Sequence, residues 1–254
     1  MTFKEWLTSS YPNPSLNGRW GLLHILTLLL CIAIIVIFAF AFKKNNKAKK
    51  IIVWIMVGIL LCFEITRRVI NFTKTTEFTF FNILHNLLPR PMCAMMCWAI
   101  ILCPIINKTS FYNFTSFGSI LASGAFFAYP GVGFNNQFIL FENLYSIVTH
   151  SIILITSISL ITFKFTNFKF KTMWKSILLY GGCVVWSLLE CYVLKIEPDA
   201  MYFSSSNDVY KLLGIPYWLY LISYILLTCL YISIFYIIGD NKKNQQSIKL
   251  NKTC

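Results

Sequence analysis

Apolar and polar positions along this chain alternate in long blocks rather than residue by residue. Seven apolar runs (20–42, 51–70, 81–106, 114–129, 138–163, 175–194 and 216–238) are separated by short polar links. Each run approaches the ~20 residues that a helix needs to cross hydrocarbon at a rise of about 1.5 Å per residue. Lipid offers backbone N–H and C=O groups no partner, so these runs are predicted to be helices. The fourth run is short. The third contains Pro89 and Pro91, which predicts a short surface or re-entrant helix, a break at the prolines and a span from about Met92. The expected fold is all-α: a polytopic bundle of about seven transmembrane helices over 20–239. A short external segment, 1–19, precedes it, and a basic tail without regular structure, 240–254, follows.

Lysine and arginine placement orients the runs. Lys43, Lys44, Lys47, Lys49, Lys50, Lys108, Lys164, Lys169, Lys171, Lys175, Lys242, Lys243, Lys249 and Lys252 fall on one side. Only Lys4, Arg19, Lys74, Lys195 and Lys211 fall on the other. Positive charge is retained on the cytoplasmic side, so the N-terminus is expected outside and the C-terminus in the cytoplasm of a multi-pass cell-membrane protein.

Composition agrees with this pattern. Of 254 residues 57% are hydrophobic and 12% charged, and the mean hydropathy is +0.66. A soluble domain carries about 25% charged residues. A net charge of +13 would suggest nucleic acid in a soluble protein. Here the basic residues lie between apolar runs, which points to membrane lipids, anionic phospholipid among them, and not to nucleic acid. Nine cysteines include no Cys-x-x-Cys pair and no Cys/His cluster with zinc spacing, so no metal or cofactor is implied. The N-terminus has no basic stretch followed by a cleavage site, and a cleaved signal peptide is not expected.

The informative residues are polar groups inside the apolar runs, because an ionisable side chain at membrane depth costs ~2.5–3.5 kcal/mol on insertion scales. With the orientation above, His24 lies in the outer half of the first run. Glu64, Arg67 and Arg68 lie near the outer end of the second. The third enters with His85, Asn86, Arg90 and Cys93, the fifth with Glu142, Asn143 and His150, and the sixth leaves through Glu190. Acid, base and thiol from five runs thus share one depth, while the inner halves read as almost purely apolar. An outward-facing polar pocket would use such a set. Simpler roles stay open: a local ion pair for Glu64 with Arg67 and Arg68, carbonyl satisfaction for His150, apolar packing for Cys93.

Several short motifs carry a resemblance. They are LLHILTL with His24, LLCFEI with Glu64, LPRPMC ending at Cys93, IVTHS with His150, DAMYF with Met201 and Tyr202, and PYWLY at 216–220. In this order and spacing the chain, from about Trp20 to Ile238, resembles the YwaF-type bacterial membrane proteins, relatives of an animal transmembrane cysteine acyltransferase family. The resemblance implies transfer of fatty acyl groups between phospholipids, with Cys93 as nucleophile and His150 as base. Glu64 would orient an imidazole, and Arg68 or Arg90 would hold a lipid phosphate. Relatives carry a His two residues before this Cys, where this chain has Pro91. The alternatives are a non-enzymatic transporter or binding protein for a small polar or lipid ligand, using the same His, Glu and Arg groups, and an accessory subunit that docks a protein partner.

Overall fold

The computed structural model describes residues 2–8, 20–75, 77, 79–89, 92–128, 134, 139–195, 201 and 208–251. All regular structure among them is helical. In chain order the helices are α1 (Phe3–Thr8), α2 (Leu22–Ala41), α3 (Asn46–Lys74), α4 (Phe80–Leu87), α5 (Met92–Ile106), α6 (Thr109–Ala128), α7 (Phe141–Thr162), α8 (Met173–Leu188), α9 (Asp208–Leu213) and α10 (Tyr217–Asn251). A 3-10 turn, Phe170–Thr172, leads into α8, and a π-helical turn, Leu189–Val193, closes it.

Among the described residues, four helical stretches are long and apolar enough to cross a membrane: Leu22–Ala41, Phe141–Thr162, Phe170–Val193 and Tyr217–Asp240. The pair α4 and α5, bent by 63°, makes a fifth if counted as one span. The bend falls at the proline pair, as the sequence predicts, and α5 begins at Met92. Helices α3, of 29 residues, and α6, of 20, match the spans in length but are more polar. In α3 the polarity comes from lysines at one end and from Glu64, Arg67 and Arg68 toward the other. In α6 it comes from Ser, Thr and Asn, and more than half of its side chains are buried. A helix sheltered by its neighbours need not be apolar around its circumference. That shelter also explains why α6 starts at Thr109, ahead of its apolar run.

Helix α6 lies at the centre, packed on α5, α7 and α8; α7 also takes α2, α3 and α5, and α10 closes the bundle on α8. Apolar side chains on α2 and α10, among them Leu26, Leu30, Phe40, Leu226 and Leu230, stay exposed, as a lipid-facing surface requires. Helix α10 runs on through the basic tail to Asn251, where the sequence suggests no regular structure; 240–251 hold neither Gly nor Pro to stop it.

One end of the bundle is closed by a hydrogen-bonded lock. Helix α7 ends in a Schellman motif, with Lys164 at φ 65°, its N–H on the Ile161 carbonyl at 3.0 Å and that of Phe165 on the Leu160 carbonyl at 3.0 Å. The turn delivers Asn167 to α6. Asn113 Nδ2 donates to the Asn167 carbonyl at 3.0 Å and to the Tyr236 hydroxyl at 3.3 Å, and its Oδ1 accepts from Asn167 N at 2.8 Å. The Tyr236 hydroxyl also pairs with Ser176 Oγ. So α6, α8, α10 and the 165–169 link meet at one amide. Ser116, Ser119, Thr156, Ser159 and Ser176 are buried as well, so this half is not the nearly pure apolar interior expected from sequence. Replacing Asn113 by Ala should strand the partner groups and lower unfolding free energy by ~2 kcal/mol. Thermal unfolding in mild detergent measures it, and an unchanged midpoint would show that the lock contributes nothing.

Candidate functional site

Toward the opposite end of the bundle, Glu64, Arg67, Arg68, Cys93, His150 and His24 form two adjoining groups. The first is built on α3. Glu64 is fully buried and receives Arg68 Nη2 at 3.0 Å and Arg67 Nη2 at 3.4 Å on one oxygen. Its other oxygen accepts the Tyr145 hydroxyl of α7. The i+3 and i+4 spacing brings both arginines to the carboxylate from its own helix, while Tyr145 makes the group tertiary. Arg68 Nη1 donates to the Asn86 carbonyl at 2.7 Å and to the Leu87 carbonyl, both at the C-terminal end of α4. Such terminal carbonyls have no intrahelical donor, and a guanidinium satisfies them and opposes the negative end of the helix dipole. Arg68 also lies over the Trp98 ring of α5 at 5.4 Å, and Arg67 over the Tyr145 ring at 5.3 Å. Asn86 Nδ2 donates to Thr75 Oγ1 at 2.9 Å and ties α4 back to the end of α3.

The second group contains the thiol and two imidazoles. Cys93 Sγ donates to the Ala122 carbonyl of α6 at 3.7 Å. One turn further along α6, the Phe126 ring stacks on His150 of α7, with centroids 3.8 Å apart and planes 11° apart. Cys93 and His150 therefore touch successive turns of one helix, at Ala122 and Phe126, which are about 6 Å apart along its axis. Beyond them Phe126 meets Phe134 at 5.9 Å, and Phe134 meets His24 of α2 at 4.8 Å.

The two imidazoles differ in chemistry. His150 Nδ1 is 2.7 Å from the Ser146 carbonyl. A carbonyl only accepts, so Nδ1 carries the proton and Nε2 holds the lone pair of the neutral ring. His24 is the reverse: its Nδ1 accepts the Trp20 N–H at 3.3 Å. The His24 ring thus caps the start of its own helix, and its lone pair is spent there. The two groups adjoin on α7, where Tyr145 serves Glu64 and the next residue, Ser146, serves His150.

The candidates divide accordingly. Glu64, Arg67, Arg68, Cys93, His24 and His150 are joined through the contacts above. Glu64 gives its oxygens to a phenol and two arginines, and the Ser146 carbonyl orients the imidazole in its place. Arg68 gives Nη1 to α4 and Nη2 to Glu64, and its buried Nε has no hydrogen-bond partner among the described residues. His85 lies on the exposed side of α4, and Glu142 is exposed in the first turn of α7. Glu190 is fully buried in the π-helical turn after α8, whose main packing is on α6 and α10. Arg90, Pro91 and Tyr202 lie outside the described residues. Tyr145, Trp98 and Phe126 were not singled out from sequence. For Tyr145 a signal exists, since a phenol inside an apolar run needs a hydrogen-bond partner.

An all-helical bundle with several membrane-length apolar helices and a buried polar cluster at one end defines an integral membrane protein. The chain belongs to the TMEM164 family, whose profile matches residues 18–236. No curated protein and no solved structure matches it. The matched segment contains every residue of both groups.

Breaking the carboxylate centre tests the first group. Glu64→Ala leaves two guanidinium groups facing each other without their anion, and the expected loss is about 3–5 kcal/mol. Tyr145→Phe removes one donor to a charged acceptor and should cost about 1.5–3 kcal/mol. Unfolding of the two variants in detergent gives the comparison; similar small losses in both would mean that Glu64 does not organise this end.

Proposed function

We propose that this protein is a YwaF-type bacterial member of its family, crosses the cell membrane seven times and transfers acyl groups between phospholipids in the outer leaflet. Seven spans require α3 and α6 to cross alongside the five candidates above. Their lengths, about 43 and 30 Å at a 1.5 Å rise, and the packing of α6 inside the bundle support this. The lysine distribution supports an external N-terminus and a cytoplasmic C-terminus. The ionisable groups then lie toward the outer face.

One observation carries the chemical reading: Cys93 and His150 flank successive turns of α6, and the imidazole is held in the tautomer that leaves Nε2 basic. At rest the cysteine is a thiol, because its contact to a carbonyl oxygen needs the S–H hydrogen. In the reaction the thiol turns from Ala122 and gives its proton to His150 Nε2. Sulfur adds to the ester carbonyl of a phospholipid, and the lysophospholipid alcohol leaves with the proton returned by the imidazolium. The thioester on Cys93 then passes its acyl group to the hydroxyl of a second lipid, and the thiol is restored. Fixing the ring through Ser146 serves the role that a carboxylate serves in a catalytic triad.

A second reading, transport or binding of a small polar or lipid ligand without covalent chemistry, has its own support. Ser116, Ser119, Thr156 and Ser159 are buried in α6 and α7 with hydroxyls that have no partner among the described residues. They line the half of the bundle beyond the polar cluster, where a hydrophilic passage would need them.

The two readings separate by experiment. Under acyl transfer, an acyl-like cysteine probe labels wild type and not Cys93→Ala, and His150→Ala slows labelling by ~10²–10⁴-fold. Unchanged lipid profiles together with no labelling dependent on Cys93 would exclude the enzyme. Uptake that responds to His150→Ala and ignores Cys93→Ala would instead establish transport. For the topology, an N-terminal tag should react with an impermeant reagent on intact cells and a C-terminal tag only after lysis. The opposite pattern would reverse the orientation.

A further inference from the structure

The cluster around Glu64 is not electrically balanced. It holds one carboxylate and two guanidinium groups, and no other acid bonds to them among the described residues. Both carboxylate oxygens are engaged: one takes the phenol and the other both arginines. Arg68 is attached at four points: Glu64, the two carbonyls at the end of α4, and the Trp98 ring. Arg67 has one long bond of 3.4 Å to Glu64 and the Tyr145 ring. Among the described residues the Nε of each arginine is buried and without a hydrogen-bond partner, but the Arg67 side chain is 21% exposed against 11% for Arg68, and no hydrogen bond engages Arg67 Nη1. A largely covered cation with unused donors, at the depth of an apolar helix, calls for an anionic partner.

We infer that Arg67 is the seat of an anionic phosphate oxygen, with Arg68 as its structural neighbour and not a ligand. A planar guanidinium can hold a phosphate through two parallel hydrogen bonds, and the exposed edge of Arg67, at Nη1 and Nη2 rather than the buried Nε, is the part that can reach one. The Tyr145 ring lies against this guanidinium, 5.3 Å from its carbon. The exposed apolar side of α4, with Phe80, Phe81 and Leu87, is held beside this cation by Arg68, and it suits the acyl chains of a lipid whose headgroup reaches Arg67. The source is either such a headgroup or free phosphate. The seat does not rest on acyl transfer: it follows from charge balance and would be needed with Cys93 inert.

The test uses the full chain in an uncharged maltoside detergent, with thermal unfolding followed on adding dioleoyl phosphatidylglycerol, dioleoylglycerol or sodium phosphate. Phosphatidylglycerol should raise the midpoint by roughly 5 °C at about a hundredfold excess over Kd, and dioleoylglycerol should not. If sodium phosphate gives the same rise, the seat takes free phosphate. Arg67→Gln should abolish the rise and leave the lipid-free midpoint nearly unchanged, since it removes the surplus charge; Arg67→Lys should keep part of the rise. Arg68→Gln should lower the lipid-free midpoint sharply, which separates the structural arginine from the binding one. An equal rise with dioleoylglycerol, or a full rise in Arg67→Gln, would overturn the assignment. So would a collapse of Arg67→Gln without lipid, because that would make Arg67 structural. Labelling at Cys93 reports on acyl transfer independently, so failure of one reading is distinguishable from failure of the other.

Discussion

A fully buried carboxylate, Glu64, sets the form of one end of this protein. A negative charge there is tolerable only with cations and donors around it, and the structure draws these from α3 itself and from α7. The arginines it recruits in turn reach α4 and α5. Four helices are therefore registered against one another by the solvation needs of a single side chain. Apolar contact alone would not do this, because between helices in lipid one greasy surface packs about as well as another.

That register has a chemical consequence. Tyr145 is held by Glu64, and the residue after it supplies the carbonyl that fixes the His150 tautomer. The helix that answers the carboxylate is thus the helix that orients the imidazole. On the other side α6 offers the Ala122 carbonyl to Cys93 and the Phe126 ring to His150. Thiol and imidazole come from different helices, and α6 is the common surface against which both are located.

Much of the fold is legible in sequence because the bilayer restricts the options so severely. Apolar runs near membrane length read as helices, and the proline pair marked the break before Met92. Helix α6 was less legible: its Ser, Thr and Asn residues lower its hydropathy, and only its enclosure by α5, α7 and α8 makes that composition workable. For the polar cluster, i+3 and i+4 spacing revealed the Glu64–arginine pairing. Nothing in a linear pattern could assign Arg68 to the end of α4 or the His24 lone pair to its own helix start, since both depend on where a turn directs the backbone. The Asn113 lock was hidden for the same reason, being an agreement between residues 54 and 123 positions apart.

That lock, built from a side-chain amide, backbone groups, a hydroxyl and a phenol, has no net charge. Neither a transmembrane voltage nor a modest change in acidity has a handle on it. The arginine-rich end, by contrast, holds charges that an electric field or an arriving ion can pull. The two ends therefore answer differently to a field: the buried link at Asn113 is neutral, whereas the buried centre at Glu64 is ionic.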